Sequence, residues 1–220
     1  MESTHKPYGT YEKYIKRPQD FLCALAAIIV LSPIMLVTAL LVRMKLGSPV
    51  LFTQDRPGKD GKIFKLYKFR SMTDEKDEDG NLLPDEERLP AFGKKLRATS
   101  LDELPELLNI LNGDMAVVGP RPLLVKYLPY YTDYERKRHL VRPGLTGLAQ
   151  ISGRNSLAWD SRLALDVKYA ENITFIGDVQ IILKTIGKVM KREDIADAGS
   201  FTMLDLDQER QLRNEDSKNN

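Results

Sequence analysis

The longest apolar stretch in the chain runs from Phe21 to Val42, FLCALAAIIVLSPIMLVTALLV, 22 residues without a charged side chain. As a straight helix it would measure about 33 Å, enough for a hydrocarbon core of roughly 30 Å. Its centre carries Ser32-Pro33. A proline inside a helix removes one backbone hydrogen bond and crowds the carbonyl four residues earlier, so a kink is expected. The two arms are then about 16 Å and 14 Å long, each roughly half a bilayer. Lys13, Lys16 and Arg17 precede the run and Arg43 and Lys45 follow it, and such residues favour the cytoplasmic side. A kinked spanning helix and a re-entrant segment with both ends in the cytosol each satisfy this pattern. No small-residue cleavage site precedes Arg43, so the segment reads as a retained anchor rather than a leader.

Beyond Gly47 the pattern changes. Ser48 to Gly58 and Ile63 to Met72 read as two extended segments joined by the turn-forming PGKDGK, a small β-hairpin. Residues 74 to 88 hold eight acids against two bases together with Gly80, Asn81 and Pro84, the composition of a solvated loop or a mobile lid. Helical patterns follow at about Ala91 to Leu96, Ser100 to Leu111 and Trp159 to Tyr169. Between Ile176 and Arg192, Val179, Ile182, Leu183, Ile186, Val189 and Met190 share one side and Lys184, Lys188, Lys191 and Arg192 are available to anionic headgroups. That is an amphipathic interfacial helix or a core-facing one. Tyr127, Tyr130, Tyr131 and Tyr134 are rings of the kind that settle at headgroup level or pack on a surface. The predicted class is α+β, mostly helical. The predicted organisation is a tail and membrane segment over 1–47, a cytosolic domain over 48–192 and a polar tail over 193–220, disordered from about Asp207.

Charge and composition narrow the chemistry. Thirty-three basic against 31 acidic residues give a net charge of +2, too balanced for a nucleic-acid binder. Cys23 is the single cysteine and the only histidines are His5 and His139, which removes disulfide frameworks, Cys/His metal sites and most hydrolase triads. Neither common glycine-rich phosphate loop is present.

Ser100-Leu101-Asp102-Glu103 puts adjacent carboxylates at a predicted helix start. One reading is a capping box, with Ser100 as cap and Glu103 reaching back. Pro105 sits awkwardly for that cap and comfortably for a cap at Asp102. The chemical reading is a carboxylate that attacks phosphorus beside a neighbour that holds Mg²⁺. Phosphate charge also needs cations, and Arg97, Arg121 in Gly119-Pro120-Arg121-Pro122 and Arg154 in Gly153-Arg154-Asn155 stand beside turns.

Together these residues resemble the bacterial sugar transferases, the monotopic phosphoglycosyl transferases. The resemblance runs from about Tyr11 to Arg192. It passes through Ser32-Pro33, Phe52-Thr53-Gln54-Asp55-Arg56-Pro57-Gly58, Lys65-Leu66-Tyr67-Lys68-Phe69-Arg70-Ser71-Met72, Ser100-Leu101-Asp102-Glu103-Leu104-Pro105, Gly113-Asp114-Met115, Gly119-Pro120-Arg121-Pro122, Arg142-Pro143-Gly144-Leu145-Thr146-Gly147 and Gly153-Arg154-Asn155. The size is similar to the small, single-domain members. The resemblance implies transfer of a sugar 1-phosphate from a UDP-sugar to a polyprenyl (undecaprenyl) phosphate with release of UMP, the first membrane step of glycan assembly. It implies a re-entrant membrane helix broken at Ser32-Pro33, set in the cytosolic face of the bacterial inner membrane among phospholipids. It further implies Asp102 as nucleophile of a covalent phosphosugar intermediate, Glu103 as ligand of Mg²⁺, and Arg97, Arg121, Arg154 and Lys68 around the phosphates and nucleotide. The rival is a noncatalytic membrane-surface scaffold in which Asp102 and Glu103 only cap a helix.

Overall fold

A computed structural model describes residues 8–153, 157–191 and 204–219. A π-helical turn, Tyr11–Ile15, leads into α1, Lys16–Leu46, and the hairpin strands β1, Leu51–Pro57, and β2, Ile63–Phe69. Then come α2, Asp85–Arg88, α3, Ala91–Ala98, a 3-10 turn at Leu101–Glu103, and α4, Glu106–Asn112. Strand β3, Ala116–Val118, precedes α5, Asp133–Arg136, and pairs in parallel with β4, Gly144–Thr146. Helices α6, Leu148–Ser152, α7, Trp159–Glu171, α8, Phe175–Lys191, and α9, Leu206–Asn219, complete the chain. The class is α+β with a helical majority, as the patterning predicts.

Helix α1 is long and apolar enough to cross a membrane. It continues through Pro33. Pro33 has no N–H for the carbonyl of Ile29, four residues back, and the Ser32 hydroxyl donates to that carbonyl instead at 2.9 Å. The Ser-Pro pair thus supplies both the break in the ladder and its repair. One stripe of α1 packs on the domain along its whole length. Ala24, Ala27, Ile28 and Leu31 meet Leu66, Leu107, Ile110 and Met115. Met35, Ala39, Val42 and Leu46 meet Phe69 and Leu96. Away from that stripe Leu22, Ile29, Val30, Leu36, Val37 and Met44 are all exposed, an apolar surface of the kind that lipid covers.

The β-hairpin forms where the sequence places it, antiparallel with Phe52 opposite Lys68 and Arg56 opposite Phe64. Asp60 and Gly61 close its turn at φ 57° and 73°, the left-handed region that Asp and Gly tolerate. The acidic stretch after β2 is largely exposed, stiffened by a bridge between Lys76 and Leu82 and by α2.

Four expectations change. The helix expected from Ser100 to Leu111 is broken in two: Pro105 cannot donate to the preceding turn, so a 3-10 turn ends before it and α4 starts after it. Tyr127 and Tyr131 are only 4% exposed and pack with Leu123, Trp159, Leu163 and Leu206, so two of the four tyrosines are core and not interfacial. In α8, Asp178 and Ile181 face the core, so the core-facing reading holds for one side of that helix, while Ile176, Leu183, Ile186 and Val189 leave the other side apolar and exposed. The tail expected to be disordered from Asp207 forms α9, because Leu206, fully buried, and the ion pairs of Arg210 with Glu135 and Asp160 dock it on the domain.

Candidate active site

The site grows from contacts that fix α4 against β2. Asn109 is fully buried; its side-chain oxygen accepts from Tyr67 N at 3.1 Å and its amide donates to the Lys65 carbonyl at 2.8 Å. From α1, Arg17 donates to the Ile110 and Leu111 carbonyls at the other end of α4, which suits a cation at a helix C-terminus. With the two elements so locked, Lys68 on β2 faces the acids of the SLDELPEL segment. Its Nζ lies 2.7 Å from Glu103 Oε1 and 3.1 Å from Glu106 Oε1.

Ser100 adopts φ 54° and its side chain makes no cap. This left-handed residue turns the chain out of α3 and swings Asp102 inward. Leaving αR costs a non-glycine residue of order 1 kcal/mol, and such strain gathers at functional sites. Neither Asp102 nor Glu103 caps α4, whose start has no side-chain cap bond. The capping-box reading therefore falls.

Arg121 Nη2 donates to Glu103 Oε1 at 2.7 Å. Behind it, Arg138 Nη2 donates to the Arg121 carbonyl at 2.6 Å and, at 2.8 Å, to Asp166. That Arg138–Asp166 pair is nearly inaccessible to water, so it anchors the Gly119-Pro120-Arg121-Pro122 segment firmly. Arg56 adds a bond from Nη1 to the Pro122 carbonyl at 3.1 Å. Arg97 on α3 is oriented by Nε donating to Ser71 Oγ at 2.9 Å. Its helix comes so close to the segment after β2 that a Cβ on Gly93 would lie 1.9 Å from the Ser71 carbonyl oxygen. Gly93→Ala is expected to push α3 away and cost about 1 to 3 kcal/mol, with loss of Arg97 positioning; a thermal unfolding midpoint unchanged from wild type would refute the close approach.

These side chains line one cavity of about 1200 Å³ between the hairpin, the Arg121 segment and α8. Lys68, Arg97, Asp102, Glu103 and Arg121, five of the six sites expected from sequence, meet there; Arg154 lies outside the described residues. Arg56 and Arg162 also line it, and Glu106 stands behind Lys68. Arg56 stands in the quoted Asp55-Arg56-Pro57-Gly58 motif without being assigned to the site there, and nothing in their sequence surroundings separates Arg162 and Glu106 from ordinary surface charges apart from the repeat of acids at positions 103 and 106.

The carboxylates are electrostatically unequal. Burial, helped by the neighbouring Glu103 charge, pushes Asp102 up to about 6 against the pull of Lys68 and Arg97. Burial opposes ionisation of Glu103 too, but Arg121 and Lys68 outweigh it and hold that group well below the usual carboxylate range. Glu106 is pushed up to about 7 by burial and by Glu103. The arrangement is one permanently anionic carboxylate clamped between two cations, beside a buried one that ionises near neutrality.

Residues 11–192 match the family model described as bacterial sugar transferase. The chain is 50% identical over 188 residues to the uncharacterized sugar transferase EpsL of Bacillus subtilis, covering 86% of this chain and 93% of that protein. It is 36% identical over 198 residues to the undecaprenyl-phosphate galactose phosphotransferase of Salmonella typhimurium, covering 82% of this chain but 41% of the relative. It is 37% identical over 188 residues to the UDP-N-acetylgalactosamine-undecaprenyl-phosphate N-acetylgalactosaminephosphotransferase of Aeromonas hydrophila, covering 80% and 44% respectively. The chain thus spans under half the length of these last two proteins. A match across nearly the whole domain, with relatives at these identities, means that the chain belongs to the bacterial sugar transferase family.

Proposed function

We propose that the protein is a phosphoglycosyl transferase that moves a sugar 1-phosphate from a UDP-sugar to undecaprenyl phosphate, releasing UMP, through a phosphosugar bound covalently to Asp102. The observation that carries this is the convergence of Asp102 and Glu103 with Lys68, Arg97 and Arg121 on one cavity, a buried carboxylate among cations that suit a diphosphate. A carboxylate that ionises near pH 6 is available at neutral pH yet more basic than an ordinary Asp, which suits a nucleophile. In the first step an Asp102 carboxylate oxygen bonds to the sugar-bearing phosphorus. The bond from that phosphorus to the bridging oxygen breaks, and UMP leaves with the electron pair. In the second step a phosphate oxygen of the acceptor attacks the same phosphorus, and Asp102 departs as carboxylate. One site then serves a soluble donor and a lipid acceptor in turn.

Glu103 keeps Lys68 and Arg121 on the cavity wall, where they offset the repulsion between Asp102 and the diphosphate. Arg97, held by Ser71, acts from the side of Asp102, and Arg56 and Arg162 extend the cationic wall beyond Arg121. Among the described residues no three His, Cys, Asp or Glu side chains form a metal cage. The donor chemistry nevertheless fits Mg²⁺, which takes one or two carboxylates and completes its shell with water and substrate phosphates. Glu103 would hold it, leaving Asp102 to act as nucleophile, and the ion would neutralise phosphate charge.

Two features of α1 support a re-entrant seat on the cytosolic face. Its first turn is tied to the domain through Lys16 and Asp178 at 2.6 Å, and its last residue, Leu46, packs with Phe69 and Leu96. A helix crossing the bilayer would carry one end away from a domain held on one side. With Cys23 changed to Ser, cysteines at Tyr8 and Lys45 are expected to react equally with an impermeant maleimide from the cytosolic side; labelling from opposite sides would establish a spanning helix.

The noncatalytic scaffold reading loses its footing because Asp102 and Glu103 cap nothing. The decisive experiment is intact-mass measurement of the protein in nanodiscs with Mg²⁺ and a panel of UDP-sugars, without acceptor. An adduct of one sugar phosphate, with one UMP released per protein, is the expected result. Turnover with acceptor but neither adduct nor UMP without it would overturn the covalent route.

A further inference from the structure

The region that matches the family model ends at Arg192, and α9 lies beyond it, yet α9 is built into the wall that carries Arg121 and Arg162. Leu206 is fully buried in one cluster with Leu123, Tyr127, Tyr131, Trp159 and Leu163. Three of those residues belong to the segment that follows Arg121. Just ahead of the helix, Asp205 accepts from Lys126 at 2.7 Å and from the Tyr127 hydroxyl at 2.9 Å. The Leu204 carbonyl accepts from the Trp159 indole at 2.9 Å. Over that indole the Arg162 guanidinium lies 4.5 Å from the ring centre, and it lines the cavity. Arg210 closes the contact by pairing with Glu135 at 2.6 Å and Asp160 at 2.7 Å.

Without these contacts the Tyr127, Trp159 and Leu163 side of the cluster would lose the leucine that covers it. The segments that carry both cations would lose one of the packed layers that hold them, with the Arg138–Asp166 pair still behind Arg121. A side chain holds catalytic geometry only while its supporting layer is rigid. We infer that α9 is a positioning element of the site: through Leu206, Asp205 and the Trp159 indole it holds Arg121 and Arg162 as one anion cradle for a diphosphate. This rests on the cavity being the diphosphate site proposed above.

The test reads binding separately from turnover. A chain ending at Met203 and the full chain carrying Leu206→Asp are compared with wild type for affinity toward inorganic pyrophosphate by calorimetry. The truncated chain is measured with and without a synthetic peptide of residues 204–219. Trp159, the chain's single tryptophan, reports docking through its emission wavelength. The expected results are a loss of about tenfold or more in pyrophosphate affinity for both variants, a red-shifted emission, and recovery of both with the peptide but not with a scrambled one. Leu206→Met, which keeps the apolar contact, is expected to bind as wild type does. Wild-type affinity in Leu206→Asp, or a red shift without loss of affinity, overturns the positioning role, as does a wild-type chain that binds no pyrophosphate. If truncation unfolds the domain, Leu206→Asp in the full chain decides alone. Donor turnover in the same samples reports on the proposed transferase reaction: a wild type that binds pyrophosphate in an α9-dependent way but transfers no sugar phosphate refutes that reaction and leaves the role of α9 intact.

Discussion

Asp102→Asn is expected to abolish sugar-phosphate transfer, lowering turnover at least about 10³-fold, because loss of a covalent nucleophile is not compensated by the rest of a site. The variant should remain folded, membrane-bound and, at neutral pH, more stable than wild type. Asp102 is 8% exposed and its carboxyl is pushed up to about 6. Its proton is therefore bound more tightly in the folded chain than in the unfolded one. The sign follows: ionising Asp102 costs folding free energy, and the cost grows as pH rises from about 4 to about 6, then stays level. Its size is on the order of 3 kcal/mol. The neutral amide of the Asp102→Asn variant carries no such cost, so the stability difference between variant and wild type should be small at pH 4 and full at pH 7. Wild-type turnover should rise across the same interval as the nucleophile ionises. Thermal unfolding in detergent across pH, with rates measured beside it, checks both. A variant as stable as wild type at every pH would mean that Asp102 is not held against its own charge, and retained turnover would remove it as nucleophile.

How much of this was legible in the sequence depends on the range of the interaction. The hairpin, the apolar helix and α7 follow from local periodicity and turn chemistry, and they stand close to where the pattern puts them. The break at Pro105 was half legible: the proline was a visible obstacle, but the left-handed Ser100 before the 3-10 turn was not. Helix α9 was not legible, because a polar stretch with one buried leucine looks like a tail until the cluster around Trp159 offers that leucine a place. The site divides in the same way. Asp102, Glu103 and Arg121 announce themselves by residue type beside turns. Glu106 does not, because its role comes from Lys68, 38 residues away in the chain, and Arg56, although beside the Pro57-Gly58 turn, is tied to the Arg121 segment only through Pro122, 66 residues away.

The lysine shared by Glu103 and Glu106 leads to the second large effect. Lys68→Met is expected to lower turnover by about 10²-fold or more, since it removes a cation from the cavity wall, and to destabilise the domain by about 3 kcal/mol at pH 8. Glu103 keeps Arg121, but Glu106, 2% exposed, loses the cation it pairs with at 3.1 Å. Its carboxyl, already pushed up to about 7 by burial and Glu103, must rise further without Lys68. The folded variant therefore takes up a proton on Glu106 as pH falls, and the penalty shrinks from pH 8 toward pH 5. Adding Glu106→Gln to Lys68→Met should restore most of the stability, because a neutral amide needs no counter-charge. It should not restore the rate, because the missing cation served the phosphates and not Glu106. Lys68→Arg, which keeps the charge, should be the mildest of the three in stability. A double variant no more stable than Lys68→Met would show that Lys68 does not neutralise Glu106. A double variant that regained activity would place the lysine behind the site rather than in it.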